Sequence, residues 1–580
     1  MKSKKKILIK QLKTLVIPAL IALIYFLLAT NSILYKSSTT DEKYHLIRGV
    51  MALKTGDLRI NQHHPYLFNV IPAIPTALNK DVKIPSLKLD EWKYADKDNL
   101  ANIFFDLNGG RGDFEKKVLN PSRILMISIN ASFLIAYYLI IQKRFRTRVA
   151  SISSLMLAFS PTYIAHSRLV TTDAPAAITI FLASIALYDV LKEKNINKKK
   201  IALFAVLAFV AILTKYTAFM IAPIWAFILF LFVSKRSNGG SMKKILHATK
   251  TVFVIIAAWG ILLTAAYRFH FNTLEEMTYG NPYKIESREG NFDLIRRTYG
   301  DRAANIAIYL YKDFKWPFPQ YVNGFMENVL LHNYTGHGTF LLGHFSQKGW
   351  WYYFPFAYFT KETLITVGLS VLSTFFYLGY KIRETFKIKK LRWPELALWA
   401  IFLPAATIII LAMKSSINLG VRHILPTYPL IFLLISILIS AISLKSKYLD
   451  YAVGTLLAIS IFMTLQIHPN YIEYFNEFVG GPQNGYLYLR DSNLDWYQDK
   501  ILDLNFVRDN EVYGISQNIE DLKEGNARFF RVDKDTLYGN PSNASQEMLK
   551  LKKLVDTGKV AIVGTIENTG FVLYTEGVKL

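Results

Sequence analysis

Long apolar runs separated by short basic segments dominate the first 465 residues of this chain. Single runs long enough to cross a bilayer occur at 12–34, 122–141, 251–266, 351–380, 396–413, 424–444 and 451–465. Two longer stretches, 148–192 and 200–235, have basic residues at both ends, and each predicts two crossings because one helix of that length exceeds the membrane thickness. The pattern therefore predicts about eleven membrane helices.

The basic residues indicate the orientation of these helices. The chain has 68 Lys and Arg against 43 Asp and Glu, a formal net charge of +25. Basic clusters between the apolar runs account for this excess, at 2–13, 143–148, 192–200, 235–250, 381–392 and 445–447. Such clusters are typical of cytoplasmic loops, so we expect a cytoplasmic N-terminus and an extracytoplasmic C-terminus. The charge thus has a topological explanation, and we expect no nucleic-acid partner.

Three long polar segments are then expected on the outer side. Residues 35–121 and 267–349 are predicted to form two large outer loops of a membrane domain spanning 1–465. Residues 466–580 contain short alternating runs and predict a small extracytoplasmic α/β domain. The first apolar run is long and no small-residue cleavage site follows it, so we expect an uncleaved helix rather than a signal peptide.

The stretch between 201 and 233 predicts a recessed turn. Its two short helices place a break near Thr214, Lys215 and Tyr216, below the outer surface of the membrane. A lysine at such a depth is costly, and we therefore expect Lys215 to be functional.

Acids and cations recur at the outer ends of the predicted helices. They are Asp41, Glu42, His64, His166, Arg168, Asp173, Lys215, Lys361, Arg422 and His423. Their convergence on one side of the membrane is typical of an active site. Structural interpretations stay open: Thr39 and Glu42 fit a capping box, residues 171–175 fit a helix start, and the cations at helix ends could reach the interface.

Three further patterns have weaker chemical interpretations. His63 and His64 are adjacent but lack the spaced partners of a metal site. The aromatic run 350–354 is also typical of a membrane-interface belt. Residues 491–495 have the spacing that opens a calcium loop but lack its later glycine and glutamate, so we expect a turn there. Because the chain has no cysteine, disulfides and thiolate metal sites are excluded.

The motifs taken together resemble one group of enzymes. They include Asp41-Glu42-x-x-His45, His64-Pro65, His166-Ser167-Arg168, Thr172-Asp173-Ala174-Pro175, Thr214-Lys215-Tyr216-Thr217, Gly349-Trp350-Trp351-Tyr352-Tyr353, Gly420-Val421-Arg422-His423 and Asp491-Ser492-Asn493-Leu494-Asp495-Trp496. In this order they resemble the prokaryotic branch of the large-loop membrane glycosyltransferases of the protein O-mannosyltransferase and aminoarabinose-transferase type. This chain departs from that group at Tyr497, where glycine is usual, and at Thr363, where proline is common.

The resemblance implies an all-α polytopic membrane protein of the GT-C fold. It implies transfer of a sugar from a polyprenyl-phosphate donor to an acceptor hydroxyl at the extracytoplasmic face, with inversion, and it assigns the general base to Asp41. Asp173 is expected to orient the sugar or acceptor, with Glu42 as a secondary acid. A departing phosphate needs cations, for which Lys215, Arg422, His423 and Arg168 are the candidates.

The remaining candidates are expected to contact the sugar or acceptor or to line the lipid entrance. They are His64, His166, Trp350, Trp351 and Tyr353. Expected partners are the bilayer, the lipid-linked sugar and a protein, glycan or lipid acceptor. No cofactor is expected to be required, and a divalent cation stays an open alternative. A transporter or lipid flippase is the competing interpretation, but it predicts inverted repeats and mid-membrane charges that the sequence does not contain.

Overall fold

Helices form most of the described structure. The computed structural model describes residues 2–60, 62–388, 395–443, 447–499, 515–516, 519, 529–538, 545–566 and 570–575. Up to the second outer loop the helices are α1 (Lys2–Ile33), α2 (Thr40–Thr55), α3 (Leu67–Leu78), α4 (Asp90–Lys93), α5 (Lys97–Leu107), α6 (Asn120–Phe145), α7 (Thr147–Ala158), α8 (Pro161–Ser167), α9 (Asp173–Leu191), α10 (Lys198–Ile212), α11 (Tyr216–Arg236) and α12 (Ser241–Ala266).

The second half of the chain continues this helical pattern. Its helices are α13 (Pro282–Tyr299), α14 (Asp301–Lys312), α15 (Pro319–Phe325), α16 (His332–Thr335), α17 (Tyr353–Lys361), α18 (Leu364–Ile388), α19 (Leu396–Lys414), α20 (Tyr428–Ser443), α21 (Lys447–Gln466), α22 (Lys534–Leu537) and α23 (Gln546–Asp556). The strands are β1 (Thr339–Leu341), β2 (His344–Ser346), β3 (Ile515–Ser516), β4 (Phe529–Asp533), β5 (Ala561–Ile566) and β6 (Gly570–Tyr574).

Eight helical segments of the described chain are long and apolar enough to cross a membrane. They are Thr14–Ile33, Glu115–Phe145, Asp173–Leu191, Tyr216–Arg236, Ser241–Ala266, Leu396–Lys414, Val421–Ile442 and Lys447–Gln466. The other three predicted crossings correspond to the shorter helix α7, to α10, and to α18 with its apolar part Leu364–Gly379. The predicted class, an all-α polytopic membrane protein, is confirmed.

The bundle is organised around α9, which carries one of the candidate acids at its start. This helix is apolar all round and almost all of its residues are buried, as expected for a helix surrounded by others. It packs against α10, α11, α19 and the 3₁₀ helix Val421–Thr427, while α1 packs on α6 and α20 on α7. The first residue of α9 is therefore held deep within the protein.

The predicted break between two short helices is confirmed. Helix α10 ends at Ile212 and α11 begins at Tyr216. Lys215 lies between them in an extended conformation, with φ −154° and ψ 143°. Its backbone cannot continue either helix, so its side chain is presented from a chain interruption within the bundle.

The first outer loop folds as a helical layer with its own apolar core. Leu46, Val50 and Phe104 are among the buried residues that join α2, α3 and α5. Gly49 allows the close approach of α2 to α3, since a Cβ atom there would lie 1.9 Å from the carbonyl oxygen of Asn69. This contact fixes the position of α2, whose first turn contains Asp41.

The segment after the last membrane helix differs from its expected place. Residues 467–499 were assigned to the C-terminal domain, but Tyr471, Phe475 and Trp496 are buried in the same apolar core as the membrane helices. The peptide N–H groups of Ser37 and Thr40 donate to the carbonyls of Gln498 and Trp496, at 2.7 and 3.2 Å. Buried aromatic side chains and these bonds join the segment, hereafter the docking segment, to the membrane domain.

The described part of the C-terminal domain is a small α/β unit. Its sheet has the order β3-β4-β6-β5, with β3 parallel to β4 and the other pairs antiparallel. Helix α23 packs on it through Leu551, which is buried with Phe530 and Leu573. One of the alternating runs that predicts a strand in this domain is 511–515, of which only Ile515 lies within the described residues.

Candidate active site

Two carboxylates and two cations alternate at one end of the helix bundle. Arg422 Nη1 donates to Asp41 Oδ2 at 3.1 Å and lies 3.5 Å from Asp173 Oδ2. Lys215 Nζ donates to Asp173 Oδ1. These four residues, hereafter the acid–cation chain, come from α2, α9, the α10–α11 break and the 3₁₀ helix Val421–Thr427. The structure thus brings together residues that are far apart in sequence.

The two acids differ in their access to solvent. The Asp41 side chain is 32% exposed, whereas that of Asp173 is 2% exposed. The side chains of Arg422 and Lys215 are each 10% exposed. A substrate can therefore reach Asp41, while Asp173 is enclosed by the two cations that it binds.

Helix starts favour both carboxylates in these positions. Asp41 lies in the first turn of α2 and Asp173 is the first residue of α9. The unpaired N–H groups there give each helix start a partial positive charge, which stabilises a nearby anion. Lys215, at the start of α11, has the opposite charge preference, and Asp173 supplies its counter-ion.

The docking segment completes the surroundings of Arg422. The guanidinium carbon lies 4.1 Å from the centre of the Trp496 ring, and Nε donates to Ser492 Oγ at 3.1 Å. A cation over an aromatic face is stabilised by the ring quadrupole. The motif at 491–496 is recognisable in the sequence, but it did not predict these contacts of Ser492 and Trp496 with Arg422.

Glu42 has a different environment from Asp41. Its carboxylate, with no exposed surface, accepts from Arg123 Nε at 2.8 Å and Nη2 at 2.6 Å. It also accepts from the peptide N–H groups of Thr39 and Val170, at 2.9 and 3.0 Å. Burial acts to raise the pKa of Glu42. Arg123 and these amides lower it by more than burial raises it, so the pKa of Glu42 lies below its ordinary value. The capping interaction expected with Thr39 is present.

Arg123 was missed in the sequence, although it had a signal. It lies near the start of the apolar helix α6, whereas the basic cluster lies at the other end of this helix. The expected topology places the start of α6 on the extracytoplasmic side, where it predicts no basic residue. The side chain is fully buried and also donates to the carbonyls of Lys36 and Ser37, at 3.0 and 2.7 Å. Arg123 therefore fixes the chain that leads into α2.

Two histidines of the first outer loop, the buried His45 and the half-buried His64, form a stacked pair. The rings of His45 and His64 are stacked with centres 5.6 Å apart, and His45 Nδ1 lies 2.5 Å from Asn69 Nδ2. Burial lowers the pKa of His45 to about 4 and that of His64 well below its ordinary value. Both rings are therefore neutral near pH 7, and within the described chain His64 Nδ1 has no hydrogen-bond partner.

The other predicted basic residues have separate partners. His166 lies edge-on to Trp496 with centres 6.1 Å apart, and burial lowers its pKa to about 3. His423 is stacked against Phe354. Arg168 Nη1 donates to the carbonyl of Pro469 at 3.3 Å, which ties it to the docking segment rather than to Asp41.

The aromatic run at 350–354 divides between surface and interior. The Trp351 side chain is 67% exposed, as the interface-belt interpretation predicts, whereas Tyr353 is buried and accepts from Asn493 Nδ2 at 2.9 Å. The Trp350 peptide N–H donates to Asn418 Oδ1 at 2.7 Å. Lys361 is buried at the end of α17 and donates to the carbonyls of Ile472 and Asn493 at 2.6 and 2.5 Å.

A large apolar cavity lies beside the α10–α11 break. It has a volume of about 1360 Å³ and is lined by residues of α11, α12, α13, α14 and α15. Ile212 and Phe219, which lie on either side of Lys215 in sequence, also line it. Its other lining side chains include Trp259, Leu263 and Tyr321. The chemistry of this lining suits a hydrocarbon chain.

The described residues include no group of three or more His, Asp or Glu placed to hold one metal ion. At the acid–cation chain, both carboxylates already have basic partners.

Residues 100–261 match the family model of dolichyl-phosphate-mannose-protein mannosyltransferases. This match confirms the resemblance to the membrane mannosyltransferases. The mannosyltransferase-like segment contains His166, Arg168, Asp173 and Lys215, and lies between Asp41 and Arg422 in sequence. It also supports assignment to the GT-C fold, to which this family belongs.

Solved structures of two other proteins align with the chain. One is an oligosaccharyltransferase of Archaeoglobus fulgidus in the apo form, at 15% identity and a TM-score of 0.41, covering 80% of this chain and 55% of that one. The other is ArnT from Cupriavidus metallidurans bound to undecaprenyl phosphate, at 11% identity and a TM-score of 0.28, covering 97% and 98%. The chain thus spans about half the length of the archaeal enzyme. No curated protein matches the chain.

Proposed function

We propose that the chain is an inverting glycosyltransferase that moves a sugar from a polyprenyl-phosphate donor to an acceptor hydroxyl at the extracytoplasmic face of the membrane. The acid–cation chain at the end of the membrane helices is the observation that carries this proposal. It combines an accessible carboxylate with cations that can receive a phosphate. The mannosyltransferase match and the expected outward position of the large loops support the same reaction and side.

The donor is expected to bind with its lipid in the apolar cavity and its phosphate near Lys215. The cavity is flanked by Ile212 and Phe219, so a lipid chain there brings its head group toward the α10–α11 break. Lys215 has three donor hydrogens and one described side-chain acceptor, Asp173, which leaves donors for a phosphate. Arg422 is the second phosphate ligand of the proposal.

The proton and electron transfers follow from these positions. Asp41 takes the proton of the acceptor hydroxyl, and the hydroxyl oxygen forms a bond to the anomeric carbon. The bond from that carbon to the phosphate oxygen breaks on the opposite side, and its electron pair leaves with the phosphate. Lys215 and Arg422 stabilise the charge that develops there. Because the bond forms opposite the one that breaks, the anomeric configuration inverts.

Asp173 acts on the cations in this proposal. It binds both Lys215 and Arg422, so its carboxylate sets the distance between them and lowers the cost of holding two positive charges side by side. The sequence predicts that Asp173 orients the sugar or acceptor, and we propose that it does so by positioning Lys215 and Arg422. His423 and Arg168 have other partners and are secondary candidates.

The test uses purified protein in lipid nanodiscs with a panel of polyprenyl-phosphate sugars and a mixture of hydroxyl acceptors. We expect release of free polyprenyl phosphate with at least one donor, and NMR of the product should show the anomeric configuration opposite to that of the donor. Retained configuration contradicts the inverting mechanism. Movement of the lipid between leaflets with no release of polyprenyl phosphate from any donor supports the flippase instead.

A further inference from the structure

A second, smaller cleft lies beside the acid–cation chain. Its volume is about 300 Å³, and its lining comes from the β1–β2 hairpin, the docking segment and the C-terminal domain. The lining residues include Thr339, Phe340, Asp491, Asp495 and Asp533. None of these residues has a part in the reaction proposed above.

Arg422 separates this cleft from the proposed catalytic base. On one side its guanidinium binds Asp41, and on the other its Nε donates to Ser492 Oγ, the neighbour of Asp491. The Asp491 carboxylate acts on Arg422 electrostatically, together with Asp41 and Asp173. A ligand in the cleft would therefore lie next to the position where the acceptor hydroxyl must meet Asp41.

Asp491 lines the cleft with a perturbed carboxyl group. Its φ of 57° is in the left-handed region, which aspartate adopts more readily than most residues other than glycine and asparagine. Burial raises the pKa of its carboxyl, although Arg422 and the Ser492 peptide N–H oppose this effect. A carboxyl group that lines a cleft beside a cation and has a raised pKa is a frequent property of ligand-binding positions.

Thr339 gives a second indication that a polar ligand is missing. The side chain is 3% exposed and lines the cleft, and its Oγ1 has no hydrogen-bond partner in the described structure. Buried hydroxyl groups are normally paired, because an unpaired one costs about 1–3 kcal/mol. A ligand with hydrogen-bonding groups would satisfy it.

The chemistry of the lining discriminates between kinds of ligand. The described residues include no group of three or more His, Asp or Glu placed to hold one metal ion. Two of the aromatic rings are covered by other side chains, since Arg490 lies 3.7 Å from the Phe340 ring centre and Tyr353 is buried against Phe354, whereas Tyr497 is 59% exposed. The three carboxylates of the lining, rather than its aromatic rings, therefore distinguish between ligands, and they favour a cationic ligand over a neutral sugar.

The same lining favours an extended polypeptide. It contains three carboxylates and one guanidinium, although Asp533 also pairs with Arg531 from outside the lining. In the described structure β1 and β2 form a two-stranded sheet, so each strand has one edge without a strand partner. Strand β1 is buried and β2 is partly exposed, so an extended segment can add to the β2 edge through its backbone, while a side pocket selects its charge.

We propose that this cleft is the acceptor subsite, and that it takes an extended polypeptide segment with a Lys or Arg close to the hydroxyl residue that receives the sugar. Asp491 binds the cationic side chain, and Thr339 Oγ1 bonds to the segment. This proposal rests on the proposed function only for its expected effect on sugar transfer. The binding that it predicts can be measured without transfer.

The experiment measures binding of fluorescent ten-residue peptides to the full-length protein in nanodiscs without donor. The peptides contain one Ser or Thr flanked by Lys, Gln or Glu. We expect the Lys peptide to bind about tenfold more tightly than the Glu peptide, and Asp491→Asn to reduce this preference to below about twofold. Asp81→Asn, at an exposed position outside the cleft, is the matched control and should keep the wild-type preference.

A transfer assay with the same peptides separates the two proposals. With a donor that wild type uses, Asp491→Asn should raise the KM for the Lys peptide about tenfold with little change in kcat. Equal binding of all peptides, or a Lys preference that Asp491→Asn retains, overturns the acceptor subsite. Asp491-dependent binding of an oligosaccharide but not of peptides overturns it as well. Peptide selectivity without release of polyprenyl phosphate from any donor contradicts the proposed function only.

Discussion

Asp41 and Asp173 have the same chemical group but different surroundings, and this difference can be tested at Asp41. Asparagine keeps the size of the side chain and most of its ability to stabilise the start of α2. It cannot take the acceptor proton, so Asp41→Asn should lower the transfer rate by about 10²–10⁴-fold with donor affinity nearly unchanged. Transfer rate and donor affinity are measured together.

The control for this variant is Asp90→Asn. Asp90 lies in the first turn of α4 and is exposed, so Asp90→Asn removes a negative charge from a helix start and changes nothing at the proposed site. Near-normal transfer by Asp41→Asn would show that Asp41 is only a helix-start residue, and Asp173 would become the candidate base.

Glu42 provides a second prediction, which concerns stability. Glu42→Gln leaves the buried Arg123 without its counter-ion, and breaking such a pair typically costs about 3–5 kcal/mol. We expect a clear fall in the thermal midpoint, measured in detergent, while exposed Glu289→Gln should have no effect. A stable Glu42→Gln protein that loses transfer would instead place Glu42 in the reaction.

The pH dependence at Glu42 has a defined sign. Its folded-state pKa is below the ordinary value of 4.5, so ionisation of Glu42 contributes stability that is fully present above that value. This contribution is lost as the pH falls through the folded-state pKa. Wild type should therefore lose stability below about pH 4.5 more steeply than Glu42→Gln, as followed by thermal midpoints across pH.

Tyr497 permits a third prediction at the residue scale. Its φ is 69°, in the left-handed region, and its side chain is 59% exposed. Glycine at this position removes a strain of about 1–2 kcal/mol but adds chain entropy to the unfolded state. Tyr497→Gly should therefore be at least as stable as wild type, and more stable than Tyr497→Ala. The reverse order of thermal midpoints would show that side-chain contacts outweigh the strain.

Single residues differed in how far the sequence could predict them. Asp41, Asp173, Lys215 and Arg422 could be proposed together, because charged groups at the ends of apolar helices are costly and few. Their pairing could not be predicted, since the four residues come from separate elements. The conformation of Tyr497 also needed the structure, although the usual glycine at that position was consistent with it.

At the scale of elements, the docking segment is joined to the first outer loop by a buried charge cluster. Lys36 Nζ donates to Glu473 Oε1 at 2.9 Å, to Asn470 Oδ1 at 2.6 Å and to Asp499. The three charged side chains are at most 2% exposed. One cation thus holds two carboxylates from a segment more than 430 residues further along the chain.

Lys36→Met tests whether this cluster holds the docking segment in place. The variant leaves two carboxylates buried without a cation, and we expect a loss of about 3–5 kcal/mol in stability, together with cleavage of the docking segment by protease. The triple variant with Glu473→Gln and Asp499→Asn should recover much of the loss. Lys88→Met, at an exposed position, is the control. Full stability of the single variant would show that apolar packing alone holds the segment.

The positions of helices could be predicted from the sequence where hydrophobicity alone determines them. The membrane helices and the α10–α11 break followed from run length and from the basic ends. The start of α18 at Leu364 did not, since Thr363 replaces the common proline; its Oγ1 accepts from the Thr366 N–H at 3.2 Å and begins the helix. The place of the docking segment was also missed, because a polar sequence with isolated buried aromatics resembles a soluble domain.

At the scale of the whole molecule, the expected orientation can be tested on the cysteine-free chain. Single cysteines at Ser86 and Thr557 should react with an impermeant thiol reagent in intact cells, and one at Ser241 should react only after lysis. All three side chains are exposed, so access is decided by the membrane. Labelling of Ser241→Cys alone in intact cells would reverse the orientation and place the proposed site in the cytoplasm.

The contact between Asp41 and Arg422 has a consequence for biosynthesis. The two residues are 381 positions apart, and Ser37 meets Gln498 later still. A chain that is still being inserted by the ribosome and translocon therefore has its base but neither its arginine nor the tryptophan beneath that arginine. Under the proposed function, sugar transfer can therefore begin only after the docking segment has been synthesised, and a chain that ends before this segment is expected to be inactive.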